Sequence, residues 1–161
     1  MRVPDFLVAR RVPFETLLHP PAFTAQKRAR FLHLPGRQVA KVVLLHGPDG
    51  YVLAVLPATQ RVDTERLARA LGGPVRLATD DEIARLFPDC EWGVVPPFGA
   101  LYGLPTLLDE SVPADELLVF EAHTHVEALR LLCRDFERLE RPRRLAFARR
   151  TEPPARRDPS Q

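Results

Sequence analysis

The chain has 161 residues, 45% of them hydrophobic and 27% charged, with a formal net charge of +2. That length fits one domain, which at this size buries roughly two-thirds of its surface and needs no covalent staples. No run reaches the ~18 apolar residues of a membrane span, Met1-Arg2-Val3-Pro4-Asp5 lacks the apolar stretch of a signal peptide, and the isolated Cys90 and Cys133 exclude a disulfide scaffold or a paired-cysteine metal knuckle. A reducing, cytoplasmic setting without a membrane partner is the expectation. The charge is unevenly spread. Residues 1–41 carry net +6, residues 42–141 net −8 and residues 142–161 net +4. An acidic body with basic ends can hold a polyanion on one side only. Of the 23 basic residues only Lys27 and Lys41 are lysines.

In chain order, Pro4 to Arg11 reads as a short helix, stopped by Pro13, and Phe14 to His19 as a strand closed by Pro20-Pro21. Thr24 to His33 is a basic helix with Thr24 as its N-cap. Gln38 to Leu45 and Tyr51 to Leu56 are apolar, β-branched runs around His46-Gly47-Pro48-Asp49-Gly50, the strongest hairpin signal in the chain. Asp63 to Leu71 is a helix ended by Gly72-Gly73-Pro74. Val75 to Leu77 is a short strand, and Thr79 to Phe87 a helix opened by a capping box with Glu82. Cys90 to Gly99 is neither helix nor strand. Thr106 to Asp109 and Leu117 to Glu121 are strands, and Asp135 to Arg141 is helical. Val126, Leu129, Leu132 or Cys133, Phe136 and Leu139 recur at helical spacing, so periodicity alone predicts one helix over Thr124 to Glu140. From Pro142 onward Arg and Pro dominate, which predicts a disordered tail over residues 142–161 after a domain of residues 1–141. The irregular alternation around a hairpin points to an α+β fold, a mixed, mostly antiparallel sheet flanked by helices.

Three groups can carry chemistry. Lys41 shares a strand face with Val39, Val43 and Leu45. An amine there either snorkels to solvent or points into a cleft, where burial lowers its pKa and it can hold a carbonyl or a phosphate. Gly93-Val94-Val95-Pro96-Pro97-Phe98-Gly99 combines glycines, which allow close backbone approach, with prolines that stiffen the loop. It suits a wall that grips a ligand through its main chain, or a structural turn. Glu121, His123 and His125 fall on one face if the strand runs on to His125, a set that binds metal in some enzymes. If the strand ends near Ala122 the three scatter. Cys90 beside Glu91 is a poor setting for a thiolate, and Cys133 reads as core. The sequence holds no nucleophile elbow, phosphate loop, dinucleotide fingerprint or zincin motif.

Several stretches together resemble the YbaK/EbsC family of aminoacyl-tRNA deacylases, relatives of the editing domain inserted in bacterial prolyl-tRNA synthetases. They are His19 to Ala25, Gly36 to Val43, Ala54 to Ala58, Arg61 to Asp63, Leu67 to Gly72, Gly93 to Gly99 and Thr124 to Ala128, and the resemblance runs from about Val12 to Leu139. It implies that Lys41 is the essential lysine, and that Gly93 to Pro97 is the loop whose backbone holds the end of the tRNA. Phe98, Gly99, His19, Thr24 and His125 stand in the matching substrate-binding stretches. The implied reaction is hydrolysis of the ester between a wrong amino acid and the terminal adenosine, with no metal, no cofactor and no covalent nucleophile. The resemblance also implies a strand followed by a helix after His125, against the periodicity, and a monomer. The implied partner is mischarged tRNA, with an aminoacyl-tRNA synthetase as a second candidate.

The residues are compatible with that chemistry. An aminoacyl ester is already activated, and fixed N–H donors with a nearby ammonium stabilise the oxyanion that water attack creates. The adenosine's own hydroxyl can move the proton. A small pocket selects small amino acids such as Ala, Ser or Cys, with Phe23, His46 and Phe98 able to shape it. Lys27, Arg28, Arg30, Arg37 and the Arg-rich tail are the candidate tRNA contacts. The chain departs from close members at Glu121-Ala122-His123, where they carry Asn-Ala-Gly. That departure supports two alternatives: an inactive tRNA- or protein-binding module on the same fold, and a metal site of Glu121, His123 and His125.

Overall fold

The computed structural model describes residues 1–151. Local chemistry sets most element ends. Helix α1 (Val3–Ala9) begins with Pro4 in its first turn, where a missing N–H costs nothing. Strand β1 (Glu15–Leu18) follows. Helix α2 (Ala25–Leu32) starts where the Thr24 hydroxyl accepts the Lys27 N–H at 3.1 Å, and ends at the left-handed His33. Strands β2 (Ala40–Gly47) and β3 (Gly50–Pro57) form the expected hairpin, with Lys41 opposite Leu56 and Gly50 at φ +116° in the turn. Gln38 lies just before it, in a 3₁₀ turn. Strand β4 (Gln60–Val62) has no counterpart among the predicted elements. Helix α3 (Thr64–Leu71) is capped by the Asp63 carboxylate and by Gly72 at φ +81°. After β5 (Arg76–Leu77), helix α4 (Asp80–Leu86) carries the expected capping box of Thr79 and Glu82.

The chain then forms β6 (Thr106–Asp109), β7 (Leu117–Glu121), β8 (Glu127–Leu132) and α5 (Cys133–Glu140). The single helix over Thr124 to Glu140 that periodicity predicts is therefore corrected. Strand β8 is the middle strand of the order β1-β8-β7 and carries apolar residues on both faces, with Leu129 and Leu131 buried on one and Ala128 buried beside the partly exposed Arg130 and Leu132 on the other. A strand with apolar residues on both faces lacks a clean polar alternation, and its apolar residues then fall by chance at helical spacing.

The tail expectation is corrected as well, over its first part. Arg143–Leu145 (β9) pairs parallel with β6, and Ala148–Arg150 (β10) pairs antiparallel with β4. The buried Asp109 carboxylate holds this segment, accepting the Phe147 and Ala148 N–H groups at 2.8 Å each, while the Phe147 ring is fully buried. Residues 152–161 of the expected tail lie outside the described residues.

A five-stranded sheet runs β5-β2-β3-β6-β9, mixed because β3–β6 and β6–β9 are parallel. With the all-antiparallel β1-β8-β7 set, this is the expected α+β architecture. Phe98 stands at the centre of the main core, its ring edge-on to Phe6, Phe120 and Phe136. One isolated bridge, Val39 to Val119 in parallel sense, joins the start of β2 to β7. Helix α2 covers this seam with Ala25 and Ala29.

Candidate active site

Two residues beyond the Val39–Val119 bridge stand Lys41 and Glu121. The strands part there, and a cavity of about 290 Å³ opens between them, lined among others by Phe23, Thr24, Arg28, Lys41, Val95 and Glu121. Lys41 is half-buried, and among the described residues no acid lies within ion-pair distance of it. Burial, and secondarily the charge of Arg61, hold its pKa below the ordinary amine value. The strand face thus delivers an unpaired, partly desolvated ammonium to the cavity wall.

The opposite wall holds charge that is already paired. Arg28 is 2% exposed and binds the Glu121 carboxylate, and it also reaches the Ala22 carbonyl at 3.3 Å. Desolvation pushes the Glu121 pKa up, against the pull of Arg28 and His125. His125 Nε2 lies 2.7 Å from the Trp92 carbonyl. A carbonyl only accepts, so this nitrogen carries the proton. The other nitrogen, Nδ1, is buried without a hydrogen bond, 3.6 Å from the Glu121 carboxylate. The imidazole packs against the ring of Phe23, centroids 4.7 Å apart, and Phe23 itself is 71% exposed at the cavity mouth.

The loop at residues 93–99 forms the third side, through one residue. Gly93 adopts φ +86° and the following six residues are buried. Val95 lines the cavity; Gly93, Val94, Pro96, Pro97, Phe98 and Gly99 do not. Phe98 is core, and Gly99 packs so tightly that a Cβ there would lie 2.4 Å from the Leu104 carbonyl and the Thr106 hydroxyl. Glu140 anchors this end, accepting the Ala100 N–H at 3.0 Å and the Thr106 hydroxyl at 2.8 Å. It also borders a separate cavity of about 370 Å³ near the β2–β3 turn, remote from Lys41.

Several expected site residues lie elsewhere. His19 is buried at the end of β1, its Nδ1 2.8 Å from the Pro20 carbonyl, outside the cavity lining. Arg28 is no surface contact for a tRNA: it lies on the buried face of α2 with Ala25 and Ala29, a spacing legible in the sequence. Lys27, Arg30 and Arg37 are exposed, and Arg37 pairs with Glu116 at 3.3 Å. The set Glu121, His123 and His125 is not assembled, because β7 ends at Glu121 and His123 turns to the other side. There its Nε2 accepts the Val3 N–H at 3.0 Å, so Nδ1 carries the proton and faces Cys90 Sγ at 3.3 Å. Asp89, Cys90 and His123 bring three donor atoms together, yet this tautomer offers no lone pair toward them. Tyr102 donates to Asp89 at 2.9 Å, and desolvation pushes the Cys90 thiol up to about 12. The cluster is a hydrogen-bonded brace that ties α1 to the loop after α4.

Residues 19–139 match the model of the aminoacyl-tRNA editing domain. Over 74 residues the chain is 31% identical to a proline–tRNA ligase of Thermosipho africanus and 32% identical to that of Fervidobacterium nodosum. Each match covers 45% of this chain and only 13% of the ligase. Among solved structures, a proposed trans-editing enzyme for prolyl tRNA synthetase superposes with a TM-score of 0.78 at 25% identity, covering 92% of this chain and 95% of that one. The hypothetical protein APE2540 shares the fold, with a TM-score of 0.83 at 18% identity over 92% of this chain and all of that one.

Proposed function

This chain belongs to the aminoacyl-tRNA editing domain family, and from that premise we propose that it is a trans-acting deacylase. It hydrolyses the ester between a wrongly attached small amino acid and the terminal adenosine of tRNA. The observation that carries this reading is the unpaired Lys41 ammonium in the cavity where β2 and β7 part. Water attack on the ester builds negative charge on the carbonyl oxygen, and a preorganised cation and N–H donors lower that barrier. Lys41 supplies the cation. Val95 is the loop residue at the cavity, and its N–H makes no backbone hydrogen bond among the described residues. The prolines that follow have no N–H, and as the residue of this loop that lines the cavity Val95 is the one we assign as donor to the oxyanion. The adenosine hydroxyl carries the proton, and the reaction needs neither metal nor cofactor.

At about 290 Å³ the cavity is near the lower end for ligand sites, which supports a small aminoacyl group. The exposed Phe23 ring offers the adenine base a stacking surface. Lys27 and Arg30, exposed on α2, are the residues we assign to the acceptor stem, a reading their exposure and charge support. The protein works as a cytoplasmic monomer on free mischarged tRNA or beside a synthetase.

A second reading, an inactive RNA-binding module, rests on Glu121, whose carboxylate stands in the cavity. A deacylation panel separates the two. The wild type and Lys41→Ala are incubated with tRNA carrying Ala, Ser, Cys, Thr or Pro. Release of one amino acid by the wild type alone is the expected result. Full activity in the variant overturns the Lys41 mechanism, and tRNA binding without any turnover selects the inactive module.

A further inference from the structure

Strands β4 and β10 pair so that Arg61 stands directly opposite Arg149. Directly opposed residues of an antiparallel pair project from the same face, and like charges in that position repel. Both arginines are exposed, and among the described residues neither forms an ion pair. The nearby acid is Asp63, and its carboxylate is engaged by the Arg66 N–H at 3.0 Å, with the charges of Arg149 and Arg69 also acting on it. The sheet edge therefore keeps two opposed guanidinium groups that nothing in the described chain fully neutralises. Neither arginine lines the cavity, but the charge of Arg61 reaches Lys41 on its wall. It is rigidly held, because Asp109 fixes the backbone at Phe147 and Ala148 and Phe147 is buried. Arg149 lies beyond residues 19–139, the part of the chain that matches the editing model.

We propose that the β4–β10 edge is a phosphate clamp: Arg61 and Arg149 together grip the RNA backbone next to the aminoacylated end, with the strand just beyond the editing core completing the substrate site. This rests on the deacylase reading for the orientation of the RNA, since it sets the ester at Lys41 and leads the phosphates past Arg61. Guanidinium groups suit the task, because each presents a planar fork of donors to phosphate oxygens. An opposed pair that repels when free is relieved when each member pairs with its own phosphate of the RNA backbone.

The test is binding of a fluorescently labelled acceptor-stem minihelix ending in CCA, followed by anisotropy over a range of salt. Arg61→Ala/Arg149→Ala is expected to bind several-fold more weakly, with the slope of log affinity against log salt reduced by about two, one for each lost phosphate contact. Arg61→Lys/Arg149→Lys, which keeps both charges, is expected to restore most of the slope. Both positions are exposed, so the melting temperature of the variants should match the wild type. An unchanged affinity and slope in the alanine variant overturns the clamp while leaving deacylation at Lys41 intact. A wild type that turns over no aminoacyl-tRNA but shows the reduced slope on mutation fails the deacylase reading and keeps the clamp.

Discussion

Two polar clusters lie on either side of the segment from Glu121 to His125, and they end in opposite chemical states. On one side, the cavity wall holds Lys41 with no acid partner among the described residues, and behind that wall His125 Nδ1 is buried without a hydrogen bond. On the other, Asp89, Cys90, Tyr102 and His123 bond to one another and to the backbone, and the Val3 N–H dictates the histidine tautomer. Both contain residue types that serve in catalysis. A polar group free to act is one the fold has desolvated without pairing, and a fully paired cluster stabilises the fold instead. Two residues of spacing separate His123 from His125, yet one braces the N-terminal helix and the other adjoins the cavity.

The largest expected effect comes from the paired part of the cavity. Arg28→Ala strands the Glu121 carboxylate in a desolvated wall, and breaking such a buried pair costs about 3–5 kcal/mol in urea unfolding. Replacing both partners, Arg28→Met with Glu121→Leu, should cost far less; an equal loss would show that the pair stabilises more than its burial costs. Next comes Lys41→Ala, which should lower kcat/KM for deacylation by on the order of 10²–10³, as for one lost oxyanion donor, with little change in stability.

His123 sharpens the contrast through pH. Burial, and then the charge of Arg2, lower its pKa, while Asp89 opposes them. The unfolded chain therefore takes up the proton first. This contribution to stability is complete above roughly pH 6.5 and is lost as pH falls through that value toward the folded pKa. Unfolding curves between pH 8 and 5 should show the decline, and His123→Gln, which does not titrate, should flatten it. His123→Ala leaves the Val3 N–H without an acceptor and should cost about 1–3 kcal/mol. The smallest effect belongs to Cys90. A thiol held near 12 is almost entirely protonated at neutral pH, so alkylation should be slow and Cys90→Ser should leave deacylation unchanged. Rapid labelling would break the view of that cluster as a closed brace.

Much of the fold was legible because local chemistry decided it. The caps at Thr24 and Thr79 and the Gly47–Gly50 turn each satisfy orphan backbone groups within a few residues, and each lies where its residues predict. Strand β8 was not legible from periodicity, because apolar residues on both of its faces erased its alternation; the family resemblance had it right. The site was legible in part. Lys41 and Thr24 meet in the cavity, and Val95 represents the expected loop. Phe98 and Gly99 are core packing, and His19 stands apart. The Arg28–Glu121 pair joins residues 93 positions apart, so no local pattern announces it.

The sequence by itself determined the secondary elements with strong caps and turns, the single lysine set on an apolar strand face, and the family. Each depends on neighbours in the chain or on a linear pattern. Only the tertiary structure decided which charges are free. One parallel bridge aligns Lys41 with Glu121 and lets their strands part. One buried helix face gives Arg28 to Glu121, leaving Lys41 without an ion pair among the described residues. One carboxylate, Asp109, captures the Phe147 and Ala148 backbone and turns an arginine-rich segment into strand β10. Those outcomes depend on desolvation and on contacts between residues far apart in sequence, which no local propensity encodes.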